Sequence, residues 1–246
     1  YKRQYLDSGN EARIKKAYES RDPRLQMAVI TPYAQYNGAS SGIAHTYTLR
    51  WPYRGSDSAE PFDIRTDTND KFYYLWRKFV PEGLEQTERD TYGLDIPLIR
   101  YAEVLLLKAE ALNEWGSTHE SEAIRCVNEV RRRAGHVELN NATYPATKVN
   151  GQSDLRERIR NEYYWEIGGE DSMYFHELRW GTWKDKKFDN NRNGLMQMWG
   201  ETTYTWYWLG DQCWSWPIPA KEMEMNSNLE QNEGWINSVS YTHLTL

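Results

Sequence analysis

The chain has 246 residues, a formal net charge of −6 and a mean hydropathy of −0.89, and this length allows one large domain or two small ones. No stretch carries the one-sided excess of lysine and arginine that a phosphate backbone requires, which argues against nucleic acid as a partner. The longest purely aliphatic run, Val104 to Leu107, is far shorter than the roughly 20 apolar residues that cross a bilayer. We therefore expect any membrane attachment to lie outside this chain.

Aromatic residues are the compositional outlier, with 12 tryptophans and 18 tyrosines. A chain of this polarity cannot bury all of these rings in one core, so we expect some of them at the surface. Exposed Trp and Tyr side chains offer a large rigid contact area with a polar group, which is typical of recognition surfaces. The two cysteines, Cys126 and Cys213, match no metal or redox spacing. Cys126 falls within a helical pattern and is predicted to be buried there.

The N-terminal third predicts little regular structure. Asn10 is suited to cap a short helix, which ends where Asp22 precedes Pro23, because the residue before proline resists the α conformation. Residues 29–70 are rich in Gly, Ser, Thr and Tyr and have no helical period, so we expect long loops with short strands. Residues 71–80 form an aromatic run that is consistent with one strand.

The middle of the chain predicts a helical hairpin. The strongest helix runs from Ile96 to Trp115 and ends at Gly116, and a second helix runs to about Ala134 and ends at Gly135. Their apolar stripes are Ile99, Ala102, Leu105, Leu106, Ala109 and Leu112 in the first helix, and Ala123, Ile124, Val127, Val130 and Ala134 in the second. The placement of alanine and glycine resembles a tetratricopeptide repeat, and one such unit needs neighbouring repeats to bury its stripes.

The remaining elements complete a mostly α fold. A polar loop, residues 140–151, precedes a third helix from Ser153 to about Gly168, and a helical pattern resumes over residues 172–180. Alternating rings over residues 204–216 predict a β-hairpin that turns at residues 210–211. The fold class is thus predicted as a tetratricopeptide-like helical repeat scaffold with a loop-rich irregular part and minor β structure.

Paired carboxylates are the first candidates for a catalytic site. Arg100 and Glu103 share one helix, and Glu110 lies two turns further on, but an arginine–carboxylate pair that ties helices together is the favoured interpretation. Glu162 and Glu166 are one helical turn apart. Because glycosidases need carboxylates on opposite sides of the scissile bond, this spacing argues against catalysis.

Metal and cofactor sites receive little support. Asp189, Asn191, Asn193 and Gly194 match the first half of a calcium-binding loop, but Gly200 stands where the bidentate Glu belongs, so an Asn-rich turn is favoured. The five histidines show no pair at metal spacing, and no Ser or Cys nucleophile has a recognisable elbow motif. We predict neither a metal nor a cofactor.

Aromatic residues crowd one polar stretch near the N-terminus and form the candidate ligand site. A sugar presents a flat patch of C–H groups on which a ring stacks, while amide and guanidinium groups pair with its hydroxyls. The predicted site residues are Tyr33, Tyr36, Tyr47, Trp51 and Tyr53, with Asn37 and Arg54 as polar partners. The alternative is that these rings pack the loops onto the scaffold. For the rings of residues 204–216, packing is the favoured interpretation.

Four segments, taken in their order along the chain, resemble the SusD/RagB family of outer-membrane nutrient-binding lipoproteins. The Arg100-Tyr-Ala-Glu103 helix and the Pro217-Ile-Pro219 ending are the most specific motifs. The segments are Ser20–Leu25, Ile96–Asn113 with Val127–Gly135, Ile159–Gly181, and Trp216–Glu222 with Asn226 and Gln231–Trp235. Two departures are Tyr163 and Met173, which stand where the family is expected to carry arginine. On this resemblance residues 1–235 are the C-terminal part of such a domain. Residues 236–246, which resemble a translated library adapter, are expected to be a non-native tail.

The resemblance implies a function without catalysis. Family members are expected to be surface-exposed lipoproteins of the bacterial outer membrane that cover a SusC-like TonB-dependent transporter and deliver oligosaccharides, or sometimes peptides, to it. The lipid anchor is expected on the N-terminal part that this chain lacks. Two alternatives stay open: an α-helical carbohydrate-active enzyme, which needs two carboxylates facing each other across an aromatic cleft, and a helical-repeat protein-interaction scaffold, which needs no exposed rings.

Overall fold

The computed structural model describes residues 16–19, 21–31, 33–40, 43–50, 63–65, 75–83, 95–170, 172–188 and 208–235. The chain divides into two compact units, Tyr1–Met173 and Tyr174–Leu246. The described ranges contain more helices than strands, and more of their residues lie in helices than in strands. The prediction of a mostly α fold with minor β structure is therefore confirmed.

The first unit opens with a short helix that the sequence did not predict. Helix α1, Pro23–Ala28, follows directly on the break at Asp22, whose side chain accepts a hydrogen bond from the Arg24 backbone N–H at 2.9 Å. Proline is favoured in the first turn of a helix because its fixed φ suits the helix and its missing N–H would be unpaired there. The Asp-Pro pair thus ends one helical segment, residues 16–19, and starts another.

Two small sheets follow. Strands β1, Val29–Ile30, and β5, Leu75–Trp76, pair antiparallel. Strands β2, Gln35–Ser40, β3, Ile43–Arg50, and β4, Asp63–Arg65, form a second sheet in that order, with β2 antiparallel and β4 parallel to β3. The expected short strands are present in residues 29–70. The predicted strand over 71–80 is wrong beyond Trp76, because residues 77–80 form a turn in which Phe79 has a φ of 62°.

Three helices carry the core of the first unit. They are α2, Tyr101–Trp115, α3, Glu120–Arg133, and α4, Gln152–Ile167. A single 3-10 turn, Ser117–His119, joins α2 to α3, and both α3 and α4 pack on α2. The predicted helical hairpin is confirmed. The buried side chains include Ala102, Leu105, Leu106, Ala109 and Leu112 of α2, Ala123, Ile124, Cys126, Val127 and Val130 of α3, and Leu155, Ile159, Tyr163 and Ile167 of α4.

Some boundaries differ from the prediction for identifiable reasons. Helix α2 begins at Tyr101 rather than Ile96, because Arg100 has an extended backbone (φ −113°, ψ 149°), and Ile99 is exposed rather than part of the stripe. Helix α4 begins at Gln152, one residue before the predicted start at Ser153, and Gly151 precedes it. Gly135 has a φ of 69°, a left-handed conformation that favours glycine, and it ends α3 as predicted.

The second unit contains short helices around an aromatic cluster. Helix α5, Ser172–Arg179, leads into it, followed by α6, Trp183–Lys187, a 3-10 helix, Asp211–Trp214, and α7, Ala220–Met225. The ring of Trp208 lies 5.2 Å from Phe188 and 5.0 Å from Trp214 between centroids. The predicted second strand after Gly210 is wrong because Asp211–Trp214 is helical. Trp208 and Trp214 pack together as expected, whereas Trp216 is exposed. Residues 201–207 lie outside the described ranges.

Candidate functional site

The sheet β2–β3 sorts the predicted ligand residues onto two faces. Tyr36 is paired directly with Tyr47, and Asn37 with Thr46. Because successive side chains of a strand point to opposite faces, Tyr36 and Tyr47 share one face and Asn37 lies on the other. The two-residue period of the strands therefore divides the predicted site residues between the two faces of the sheet.

Gly38 lets the two tyrosine rings lie over the backbone of β2. A Cβ atom at this position would come within 2.8 Å of Tyr47 Cε2 and 3.1 Å of Tyr36 Cε1, closer than packed carbon atoms approach. His45 is the direct partner of Gly38, and its ring lies edge-on to Tyr47 at 6.2 Å between centroids. Gly38, Tyr36, Tyr47 and His45 thus form one aromatic surface, here named the tyrosine face.

One edge of the tyrosine face is held by residues 81–83. The Tyr36 hydroxyl donates a hydrogen bond to the Pro81 carbonyl at 2.6 Å, and the Gly83 N–H donates to the Asn37 carbonyl at 2.9 Å. Burial raises the pKa of Tyr36, so this hydroxyl stays protonated and remains a donor. Tyr36 and Tyr47 are both half-buried, which leaves part of each ring open to a ligand.

The other predicted site residues separate from this face. The Asn37 backbone N–H donates to Glu82 at 3.0 Å, and its side-chain oxygen accepts from the Thr46 hydroxyl at 3.1 Å. Tyr33 lies in the turn before β2, with a φ of 65°. Trp51, Tyr53 and Arg54 lie outside the described residues, as does the candidate calcium loop over residues 189–200.

A second feature is a connected set of nine charged side chains, here named the ion-pair network. It joins α1, the turn after β5 and all three core helices. Its members are the cations Arg24, Lys78, Arg100, Arg131 and Arg133 and the carboxylates Asp22, Glu162, Glu166 and Glu170.

Arg24 is the hub of the ion-pair network. Its Nη1 lies 2.7 Å from Glu162 Oε1 and 3.2 Å from Glu166 Oε2, and its Nη2 lies 2.7 Å from Asp22 Oδ2. Glu162 is fully buried and also accepts from Arg131 at 2.8 Å. Sequence reasoning missed Arg24, although it lies in the Asp22-Pro-Arg24 part of a segment singled out by its family resemblance.

Glu166 is surrounded by three guanidinium groups. It accepts from Arg100 Nη1 at 2.9 Å and from Arg133 Nη2 at 2.6 Å, in addition to Arg24. Burial raises the pKa of this carboxyl, but the hydrogen bond from Arg100, the charge of Arg133 and the hydrogen bond from Arg24 outweigh burial and lower it. Glu166 is therefore ionised at neutral pH.

The ion-pair network gives neighbouring arginines different environments. Arg131 is buried because it reaches inward to Glu162, whereas Arg132 is exposed and pairs with Glu138. Arg100 has the predicted structural role, with Glu170 and Glu166 as partners. Tyr163 and Met173 are both buried.

The described residues form neither a metal site nor a membrane-spanning helix. Across the ranges that the structure describes, no group of three or more His, Cys, Asp or Glu side chains is arranged to hold a metal ion. None of the helices in those same ranges is both long and apolar enough to span a membrane.

Comparison with known proteins connects these features to a family. The starch-binding protein SusD of Bacteroides thetaiotaomicron is 28% identical over 161 residues, which are 65% of this chain and 25% of that protein. The SusD-like protein P38 of Formosa agariphila is 32% identical over 139 residues, or 56% of this chain and 24% of that protein. The chain thus spans about a quarter of the length of these curated relatives.

Solved structures agree on the fold. A SusD-like protein from Bacteroides fragilis superposes with a TM-score of 0.61 at 22% identity, covering 89% of this chain and 40% of that one. A SusD homologue from Bacteroides thetaiotaomicron superposes with a TM-score of 0.55 at 22% identity, covering 87% and 41%. The family model described as the SusD family matches residues 2–235. The chain therefore belongs to the SusD family.

Proposed function

We propose that this chain is part of a protein that binds an oligosaccharide without cleaving it. The single observation that carries the proposal for a site is the tyrosine face, where Tyr36 and Tyr47 are held side by side over Gly38. Two half-exposed rings at a fixed spacing suit the flat C–H faces of successive sugar units, and stacking of this kind tolerates different ligands. Membership of a family that includes a starch-binding protein is consistent with this ligand class.

The predicted site residues outside the tyrosine face have different proposed roles. Trp51, Tyr53 and Arg54 follow β3 directly in the sequence. We keep Trp51 as the first choice for a stacking platform beside the tyrosine face, with Tyr33 in the adjoining turn. Asn37 belongs to the opposite face and is therefore proposed to support β2 rather than to contact a sugar stacked on Tyr36 and Tyr47.

The state of the helix carboxylates supports a non-catalytic role. A glycosidase needs a general acid whose pKa is raised. Glu166 has a lowered pKa and is enclosed by three guanidinium groups, and Glu162 is fully buried between Arg24 and Arg131. These groups stabilise the packing of α1 and α3 on α4, and both carboxylates are already paired with cations.

The remaining proposals rest on the family. We place the protein at the bacterial outer membrane as a surface lipoprotein, anchored by lipid outside this chain, that delivers its glycan to a SusC-like TonB-dependent transporter. Lipid anchoring needs no membrane-spanning helix.

A specific observation also favours packing against further helices. Helix α2 buries one side against α3 and α4 but leaves Tyr101, Val104, Ala111 and Trp115 exposed. These positions are spaced three, seven and four residues apart and so share one helix face. We propose that another helical repeat, of the kind the sequence predicts, covers this face.

The glycan proposal is tested by replacing neighbouring residues on opposite faces of β3. Tyr47→Ala removes a ring of the tyrosine face, whereas Thr46→Ala changes the next residue, which points the other way. By analogy with aromatic stacking on bases, losing Tyr47 should weaken binding by about ten- to a hundredfold, and Thr46→Ala should leave it unchanged. The measurement is calorimetric titration of the full chain against a panel of neutral plant and host oligosaccharides.

The same titrations should include Trp51→Ala, followed by chromatography of each mixture. Equal affinities for the wild-type chain and Trp51→Ala would remove Trp51 from the site. Equal losses in Tyr47→Ala and Thr46→Ala would contradict the assignment of the tyrosine face. Shortened glycan chains after incubation would overturn the non-catalytic role itself.

A further inference from the structure

A cleft of about 450 Å³ opens where α1, the turn after β5, α3 and α4 meet in the first unit. Its polar wall includes Arg24, Lys78, Arg100 and Arg133, which all belong to the ion-pair network, and its apolar wall includes Phe79 and Trp165. The tyrosine face contributes nothing to its lining. The cleft is therefore a separate site in the same unit.

The charge in this cleft is positive. Four cations, Arg24, Lys78, Arg100 and Arg133, line the cleft together with one carboxylate, Glu166. The Glu166 side chain is only 2% exposed, whereas that of Arg133 is 59% exposed. Because the carboxylate lies beneath and the guanidinium lies at the mouth, a ligand that enters meets the cation first.

Arg133 has N–H donors that its contact with Glu166 does not use. Its hydrogen bonds to the described residues all leave from Nη2, which contacts both carboxylate oxygens of Glu166 at 2.6 Å. A guanidinium has five N–H donors in a planar fork that matches a carboxylate with two parallel hydrogen bonds. The Nη1 and Nε donors of Arg133 can therefore bind a second carboxylate at the mouth of the cleft.

The apolar wall is built for a ring-shaped ligand. Trp165 lines the cleft and is 46% exposed, which is unusual for a large indole on a core helix. Phe79 lines it from the turn and has a φ of 62°. A bulky residue rarely adopts this conformation, and such strained positions collect at ligand sites. The turn thus carries an aromatic side chain at the cleft, at a position whose conformation favours glycine or asparagine.

We infer that this cleft binds a sugar acid, with Arg133 pairing its carboxylate and Trp165 stacking on the C–H face of its ring. The assignment of a sugar rests on the proposed function, whereas the carboxylate is assigned from the charge and geometry of the cleft. The ligand class is thus a uronic acid unit, bound apart from the neutral units proposed for the tyrosine face.

The test compares two ligands that differ only in charge, a trisaccharide of galacturonic acid and its methyl ester, by calorimetric titration of the full chain. The variant Arg133→Gln removes the cation at the mouth. Arg132→Gln is the matched control, because Arg132 is the neighbouring arginine, is 66% exposed and pairs with Glu138 outside the cleft. We expect the acid to bind more tightly than the ester, and Arg133→Gln to weaken acid binding by about tenfold or more, as for one charged hydrogen-bond pair. Arg132→Gln should leave binding unchanged.

A second variant guards against unfolding of Arg133→Gln, which also loses an ion pair to Glu166. Trp165→Ala should weaken binding of the acid while the chain keeps its cooperative thermal unfolding. Equal binding of acid and ester, or equal losses in Arg132→Gln and Arg133→Gln, would overturn the site. Tighter binding of an acetylated dipeptide acid than of the trisaccharide would overturn the sugar assignment.

The Tyr47→Ala variant separates this inference from the proposed function. If binding of the acid survives in Tyr47→Ala, the two sites are distinct, as inferred. If that variant loses the acid and a neutral glycan together, the cleft is not a separate site. If neutral glycans fail to bind at all while the acid binds through Arg133, the proposed function of the tyrosine face fails and the cleft stands.

Discussion

The helical core and the small sheet of the first unit satisfy their polar groups in different ways. In the helices, charged side chains are buried and paired across long stretches of chain: Arg24 and Glu162 lie 138 residues apart and 2.7 Å from each other. In the sheet, Asn37 pairs with Thr46, nine residues away and exposed. Long-range buried pairs fix how α1, α3 and α4 pack, whereas short-range exposed pairs fix only the register of two strands. The helices are thus suited to be a scaffold, and the sheet to present rings to a ligand.

Of the substitutions considered, one that breaks the ion-pair network at Glu166 should have the largest effect on the stability of the helical core. Glu166→Gln leaves three guanidinium groups around a neutral amide, and removing one partner of a buried ion pair costs about 3–5 kcal/mol of unfolding free energy. Chemical unfolding followed by circular dichroism measures this loss. Glu138→Gln is the control, because Glu138 pairs with Arg132 at the exposed surface, where ion pairs contribute little. Equal losses in the two variants would contradict the scaffold role of the network.

Lowering the pH should destabilise the helical core by protonating Glu166, with a smaller effect than the substitution. The pKa of Glu166 in the folded chain lies below its ordinary value of 4.5. Its charge therefore stabilises the fold above the pKa of the unfolded chain, and this contribution is lost as the pH falls through the folded pKa. The difference in unfolding free energy between the wild-type chain and Glu166→Gln should narrow as the pH is lowered below about 4.5. A constant difference from pH 7 to pH 3 would show that Glu166 does not titrate in this way.

A change in the sheet should affect ligand binding more than stability. In Gly38→Ala the new methyl group meets Tyr47 Cε2 at 2.8 Å, so the tyrosine rings must move. Replacing a strand glycine stabilises by up to about 1 kcal/mol through backbone entropy, which offsets part of this cost. We expect the unfolding free energy to change by less than about 1 kcal/mol, while affinity for a neutral oligosaccharide falls. Unchanged affinity in calorimetric titration would argue that the tyrosine face binds no glycan.

The apolar pattern of the sequence predicted the helices better than it predicted the candidate sites. The apolar stripe from Ala102 to Leu112 predicts α2 because these residues share one helix face. Gly116 marks the end of α2, and Gly135 marks the end of α3. The start of α2 could not be predicted in this way. Ile96, Leu98 and Ile99 are apolar but exposed, so their composition suggests a helix that the extended backbone at Arg100 excludes.

The candidate sites depend on pairing that periodicity cannot reveal. Residue type alone suggests Tyr36, Asn37 and Tyr47 as site residues, but only the register of β2 against β3 separates Asn37 from the two rings. A shift of one residue in that register would exchange the faces. The cleft at Arg133 had no signal in the sequence, because its walls come from segments more than a hundred residues apart.

By itself the sequence determined the helical core, its turns and the family, since these follow from local periodicity, from glycines at helix ends and from ordered motifs along the chain. Only the tertiary structure decided which charges are buried together and which rings share a face. The run Arg131–Arg133 illustrates the reason: three identical side chains in succession have different environments, with Arg131 buried, Arg132 exposed and Arg133 at the mouth of a cleft. Helical geometry turns each residue by about 100° from the one before, and what lies in that direction is set by distant parts of the chain.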